Sequence, residues 1–271
     1  MNKPIIIKKS LQYSFSIIAG ASTIASVLGY TVRDINPSLS WWKWSLILFG
    51  VFILLSTIIY CYLKSSRHKP YKTTINGKPV LIKTGDLFSE PDWKVIPFNE
   101  RFDTQVDDVI ISHNSLNGIM IDNYVHDIND LTRTIDDAKK APSELKPITT
   151  NGKTIYPLGR LIPYKDFLML SFSHFDDQNR ARIEIGEYEQ MLIRMWSEIR
   201  RVYAARPIAL PLIGTGLTTI EGISGKNYTE FLKCILCTLR KSNFQPVQGI
   251  TIVLTEKCME QVDMSLIKEE F

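Results

Sequence analysis

The chain has 271 residues, with 32 Lys and Arg against 28 Asp and Glu, for a formal net charge of +4. A mean hydropathy of −0.02 and 45% hydrophobic residues match an ordinary soluble chain, and 14 Gly with 13 Pro exclude a collagen-like or disordered one. The average hides a partition. Residues 1–63 carry five basic side chains and one acid, 64–83 carry six and none, and 84–271 carry 21 basic against 27 acidic, a net of −6. Nucleic-acid binding needs clustered Lys and Arg on the reading domain, so this distribution excludes a broad cationic face and nucleic acid is not an expected partner.

Two uncharged stretches open the chain. Residues 45–63 (SLILFGVFILLSTIIYCYL) number 19, of which 15 are hydrophobic. As a helix they reach about 28 Å, near the ~30 Å hydrocarbon core of a bilayer. Residues 10–32 are uncharged for 23 positions but only 13 are hydrophobic, with Ser16 and Gly20, and Ser22 and Ser26, in the small-xxx-small spacing that lets membrane helices approach closely. Two spans, about 10–32 and 45–63, are therefore expected in residues 1–66. A cleaved signal peptide with Lys8 and Lys9 as its basic start is the alternative for the first, disfavoured because a second span follows. Trp41, Trp42 and Trp44 suit an interface belt, and Lys3, Lys8, Lys9, Lys64, Arg67, Lys69 and Lys72 flank the outer ends. The positive-inside rule then places both termini in the cytoplasm of a multi-pass inner-membrane protein in contact with lipid.

The four cysteines fit a reducing compartment. Cys234 and Cys237 form a CxxC, but within a helical apolar pattern (Phe231, Leu232, Ile235, Leu236, Leu239) and without a second ligand pair, so packing is preferred over zinc.

Residues 67–271 alternate strand and helix. In chain order come a hairpin over 69–84 turning at Asn76-Gly77, a strand at 93–98, and a segment over 107–130 that begins as a strand (VIIS) and becomes helical after Asn117-Gly118. A polar stretch with a partial helix covers 129–150. Next are an apolar strand at 167–172, a helix at 183–204, a strand at 207–212, a helix at 227–240 and a strand at 250–254. The class is α/β, with a mixed central sheet flanked by helices in three layers.

Three segments can carry chemistry. LPLIGTGLTT (210–219) runs from a buried strand into Gly214-Thr215-Gly216 and toward a helix, where glycines let backbone N–H groups approach an anion. A tight strand-to-helix turn needs the same glycines. The loop lacks the third glycine of a dinucleotide fingerprint, and Gly225-Lys226 is followed by Asn227 instead of the Ser or Thr of a Walker loop. IISHNSLNGIMI (110–121) again leads an apolar run through a polar turn into a helix start, which offers N–H groups to an anion. Thr84-Gly85-Asp86-Leu87-Phe88 sets an acid at a strand end, able to accept from an amino group. The histidines His68, His113, His126 and His174 have no metal-ligand spacing and are read as surface or loop residues, and no hydrolase or metalloprotease signature occurs.

Together these segments resemble a macro domain. Gly85-Asp86-Leu87 is similar to that family's Gly-Asp-Ile step, residues 114–119 to its first phosphate loop and 213–218 to its second. VIPFNERFDT (95–104), VDDVIISHNSLNG (106–118), FSHFD (172–176) and LPLIGTGLT (210–218) resemble more closely the macro domain of Thoeris antiphage effectors, as does the pair of spans ahead of it. The resemblance implies that Asp86 and Leu87 hold adenine and that Ser115, Leu116, Asn117, Gly118 and Ile119 hold the distal ribose and one phosphate. It further implies that Ile213, Gly214, Thr215, Gly216, Leu217 and Thr218 hold the diphosphate, with Asn99 and Asp103 nearby. The ligand implied is an ADP-ribose-type signal, histidine-conjugated, made from NAD by a TIR-domain partner. Its binding would drive a homo-oligomer that disrupts the inner membrane and ends the infected cell.

No catalytic residue, metal or cofactor is expected. Hydrolytic macro domains carry an Asn-Ala-Ala-Asn segment where this chain has Pro97-Phe98-Asn99-Glu100, and three glycines where it has Ser115, Leu116 and Asn117, which suits a reader better than an ADP-ribosyl hydrolase. A membrane-held hydrolase is the alternative, and a protein-docking module on a plain anchor is a third reading.

Overall fold

The computed structural model describes residues 5–271 apart from 68, 92, 151, 177, 179, 223, 224 and 243. The chain divides into two compact units, Met1–Lys69 and Pro70–Phe271. Lys3 and His68, read above from the sequence, lie outside the described residues, as do the side chains of Arg33 and Arg67.

The first unit is helical: α1 (Ile5–Val27), the single turn α2 (Val32–Ile35) and α3 (Trp41–Arg67). The helix α1 starts before residue 10 and stops five residues short of the expected end at 32. Gly29 is the cause: at φ 80° it lets Tyr30 N–H reach the Ala25 carbonyl (2.9 Å) and its own N–H reach that of Ser26 (3.0 Å). That pair of bonds closes the last turn and ends the helix. On α1 the hydroxyl of Ser14 is satisfied by the Ser10 carbonyl at 2.7 Å, and both serines are buried. Ser10 shares a groove with Phe52, Ser56 and Tyr60 of α3, so small residues let the two helices meet closely. Among the described residues one helix is long and apolar enough to cross a membrane, Trp41–Ser65, with mean hydropathy 2.5. The expected second span, diluted by Ser, Ala and Gly, falls short of that measure.

In the second unit β1 (Tyr71–Ile75) and β2 (Lys78–Thr84) form the expected hairpin, with Asn76 (φ 52°) and Gly77 (φ 74°) supplying the left-handed pair that such a turn demands. A 3-10 turn at Leu87–Ser89 leads to β3 (Trp93–Asn99). Helices α4 (Leu116–Tyr124) and α5 (Ile128–Asp137) follow, then a small hairpin of β4 (Ile148–Thr150) and β5 (Lys153–Ile155). Next come β6 (Leu161–Tyr164), β7 (Phe167–Phe175), β8 (Ala181–Glu184), α6 (Ile185–Val202) and β9 (Ile208–Pro211). The chain ends in β10 (Thr219–Glu221), α7 (Tyr228–Lys241), β11 (Ile250–Leu254), α8 (Glu256–Gln261) and α9 (Met264–Glu270). The main sheet runs β1-β2-β11-β9-β3-β7-β8-β10, with β6 added antiparallel to β7. Its middle, from β2 through β11, β9 and β3 to β7, is parallel throughout.

Two sequence expectations fail here. Residues 109–112 are not a strand, and only an isolated bridge joins Val106 to Ile111. The Asp107 carboxylate accepts from the N–H of Val109 (2.9 Å) and Ile110 (2.7 Å), and Asp108 sits at φ 58°, so a local turn takes the groups that a ladder needs. The Gly214-Thr215-Gly216 turn leads first into the edge strand β10 and only later into α7.

Alternating side chains of the central strands feed two cores, one on each face. Val95, Leu168, Leu170 and Leu210 pack against α6 and α7, while Ile96, Phe98, Met169 and Ala209 pack against α4 and α5. A strand buried on both faces reads as a continuous apolar run, which is why FLMLSF was legible. The face of α6 that meets the sheet, Tyr188, Met191, Leu192, Met195, Trp196 and Ile199, is fully buried.

One charged cluster locks α6 to β6. Arg160, 1% exposed, pairs with Glu198 at 3.1 Å and donates to the Ala138 carbonyl at 3.0 Å. Glu198 also accepts from Ser143 (2.8 Å), Arg201 (2.9 Å) and the Leu161 N–H (3.3 Å). Burial raises its pKa, but these donors outweigh it and the net shift is downward. Removing one member strands the other in the interior. Glu198→Ala is expected to lower unfolding free energy by about 3–5 kcal/mol in urea melts, with Arg160→Met/Glu198→Leu recovering part of that loss.

Candidate functional site

Because β2, β11, β9, β3 and β7 are parallel, their carboxyl ends share one edge of the sheet. A cavity of about 970 Å³ opens there. Each strand delivers residues to it: Gly85 to Phe88 after β2, Thr255, Lys257 and Cys258 after β11, 212–218 after β9, Asn99 from β3, and Phe172, Ser173 and Phe175 from β7. Ligands of open α/β sheets bind at this edge.

The loop after β9 has an unusual balance of hydrogen bonds. The Leu212 carbonyl accepts from the Thr215 hydroxyl at 2.8 Å, the Ile213 carbonyl from the buried Tyr188 hydroxyl at 2.8 Å, and the Gly216 carbonyl from the Lys226 ammonium. By contrast, none of the backbone N–H groups from Ile213 to Thr218 has an acceptor among the described residues. Pinned carbonyls and open N–H groups make a preorganised anion cradle. Its two glycines differ. Gly214 sits at φ 95° with Ile220 Cδ1 3.0 Å from where a Cβ would lie, so the fold itself needs it. A Cβ on Gly216 would meet nothing within 4 Å, so the fold does not itself require glycine at this cavity-lining position.

The loop before α4 is mostly self-satisfied. The Ser115 hydroxyl caps α4 by accepting from Gly118 N–H at 3.2 Å, and Ile119 N–H donates to the Ser115 carbonyl at 2.8 Å. Leu116 and Asn117 are left with backbone N–H groups that lack an acceptor among the described residues. Gly118 does not line the cavity; a Cβ there would lie 2.1 Å from the Ser112 carbonyl oxygen, so this glycine is a packing requirement.

Asp86 lines the same cavity, just after β2. One of its carboxylate oxygens accepts from Phe88 N–H (3.1 Å) and the other from the Ser89 hydroxyl (3.1 Å), which leaves lone pairs for an incoming donor. Asn99 lines the cleft but commits its amide to its own loop, donating to Asp103 at 2.9 Å and accepting from the N–H of Arg101 and Asp103. Asp103 does not reach the cavity. Of the fifteen residues singled out in the sequence, all but Asp103 and Gly118 therefore meet at one cavity.

The family profile described as "Thoeris protein ThsA, Macro domain" matches residues 80–255. The Thoeris protein ThsA of Bacillus amyloliquefaciens (strain Y2) is 38% identical over 205 residues, covering 72% of this chain and 68% of that protein. The chain belongs to the ThsA macro-domain family. Its mixed sheet flanked by helices is a macro-domain fold. Solved structures that it resembles include a single-residue (Gly to Val) mutant of the Oceanobacillus iheyensis macrodomain with ADPR, at 13% identity and a TM-score of 0.49 over 74% of this chain and 99% of that one. The Oceanobacillus iheyensis macrodomain with ADP has 15% identity and a TM-score of 0.48, over 75% and 98%.

In this ThsA-family domain two cleft residues, Lys257 and Cys258, follow the last strand, where no glycine marks a loop in the sequence. Outside the cavity lining, Tyr188 has the pattern of any other core position of α6 and yet holds the Ile213 carbonyl. His174 was read as an unremarkable loop residue. It sits between two carboxylates, 2.5 Å from buried Glu100 and 3.3 Å from Glu187, and the Glu100 hydrogen bond, against some burial cost, raises its pKa to about 9. Among the described residues no three His, Cys, Asp or Glu side chains are grouped to hold a metal ion. Burial pushes the Cys234 thiol up to about 12, as befits a packed side chain.

Two outcomes follow for stability. Gly118→Ala is expected to cost about 1–3 kcal/mol by overpacking, whereas Gly216→Ala stays within about 0.5 kcal/mol of the parent; thermal melts compare them. His174 binds its proton more tightly folded than unfolded, so its contribution is complete below its ordinary pKa of about 6.5 and fades as pH rises through about 9. The stability gap between the parent and His174→Gln should therefore close between those limits, and a gap constant with pH would refute the ion pair.

Proposed function

We propose that the chain is a membrane-anchored antiphage effector whose macro domain binds an ADP-ribose-type signal without turning it over. The observation that carries this reading is that the segment Ile213 to Thr218, whose backbone N–H groups have no acceptor among the described residues, lines the same cavity as Asp86. A nucleoside diphosphate sugar has the matching parts: an exocyclic amino group for Asp86, a diphosphate for the cradle, and a distal ribose toward Ser115, Leu116, Asn117 and Ile119. An acidic domain gains nothing from its overall field with such a ligand, so the local backbone groups must supply the attraction.

The family supports the finer parts of the reading: a histidine-conjugated ADP-ribose made from NAD by a TIR-domain partner, assembly into a homo-oligomer, and disruption of the inner membrane. The anchor is read as a two-span hairpin of α1 and α3. Lys8, Lys9 and Lys64 at its outer ends favour cytoplasmic termini. A non-catalytic role is favoured because the Asn99 amide, at the cavity wall, is committed to Asp103 and to the N–H groups of Arg101 and Asp103 instead of to a water. Ligand can drive assembly only through its differential affinity for the free and assembled states.

Titration calorimetry of the full chain in detergent micelles checks this. ADP-ribose and its histidine conjugate should bind, and Gly216→Trp, which fills the cleft from a position the fold leaves open, should abolish binding without changing the melt. Absence of heat at high micromolar ligand would overturn the reading, and steady release of free ADP-ribose from the conjugate would replace it with the hydrolase.

A further inference from the structure

The Gly225-Lys226 step fits no Walker loop, yet the structure gives its lysine a definite place. The Lys226 ammonium donates to the Gly216 carbonyl, ten residues back along the chain, and lies close enough to Cys258 to interact with its thiol electrostatically. Cys258 lines the cavity and contacts the Thr215 hydroxyl at 3.7 Å, so Lys226 stands beside the anion cradle. On the same part of the wall Lys257, the neighbour of Cys258, lines the cavity directly. Neither lysine forms an ion pair with a carboxylate among the described residues, although residues 84–271 carry 27 acids. Two cations left without acidic partners beside six open N–H groups call for an anion of more than one charge.

We propose that Lys226 and Lys257 act as specificity residues that make the loop at 213–218 select two adjacent phosphates over one. The inference rests on the nucleotide-signal reading above and deepens it. A monophosphate is served by the backbone N–H groups alone. An AMP monoester already carries close to two negative charges near pH 7, so the difference is one of reach: the second phosphate of a diphosphate extends past the backbone N–H groups to a nearby ammonium.

Calorimetry of the full chain in detergent micelles with ADP-ribose, AMP, adenosine and inorganic pyrophosphate tests this. Lys226→Met and Lys257→Met are each expected to weaken ADP-ribose and pyrophosphate about fivefold at low salt, with the loss shrinking near 1 M salt. AMP and adenosine should change less than twofold, and Lys226→Arg should retain most of the affinity. If both methionine variants hold ADP-ribose and pyrophosphate within twofold of the parent, or weaken AMP equally, the proposal is wrong. Should the parent bind pyrophosphate in a lysine-dependent way but ignore ADP-ribose, the nucleotide reading falls while the diphosphate selectivity stands. Binding of neither ligand overturns both.

Discussion

Everything at the cleft depends on five neighbouring strands pointing the same way. Parallel pairing from β2 to β7 brings five strand ends to one edge, while β6, running antiparallel, carries the chain back to the start of β7. Those ends leave backbone groups that no ladder can satisfy, so the loops following them must find partners elsewhere. In this domain the loops solve that problem unequally. The loop before α4 folds its polar groups back onto Ser112, Ser115 and Asp107, whereas the loop after β9 satisfies its carbonyls and leaves its N–H groups open. The functional asymmetry of the cleft is thus a matter of hydrogen-bond accounting more than of charged side chains.

That accounting reaches into the hydrophobic core. Tyr188 is fully buried among apolar neighbours, and burial raises its pKa well above the usual value, so its hydroxyl stays a donor at any physiological pH. Among the described residues the hydroxyl donates to the Ile213 carbonyl. The helix that carries the largest apolar face therefore also orients the cleft loop, which couples the packing of the domain to the shape of its site.

Much of this was legible in the sequence, for identifiable reasons. The hairpin at Asn76-Gly77, the buried strands FLMLSF and PIALPL, and the long helix with its three- and four-residue apolar steps are strong local patterns, and the structure follows them. The resemblance carried by Gly85-Asp86-Leu87 and LPLIGTGLT drew most of the cleft together. What stayed hidden depends on long-range geometry. The run VIIS has strand composition, but the Asp107 carboxylate captures its N–H groups first. Asp103, expected near the ligand with Asn99, is held by the Asn99 amide and does not line the cavity. The Arg160–Glu198 pair, 38 residues apart, leaves no periodic trace. Short elements such as β6, β8, β10, α8 and α9 are held by tertiary contacts that no window of sequence contains.

The pinned carbonyls of the β9 loop also separate tightness from responsiveness. A binding group that is equally well formed in two states of a protein pulls on neither, however strongly it holds its ligand. On the proposed reading, the loop from 213 to 218, already set by Tyr188, Thr215 and Lys226, would fix how firmly an anion is held. A change of state would then fall to segments whose backbone hydrogen bonds are local, and the stretch from Asp107 to Ser115, anchored in the core by Ile111, bonds in that way.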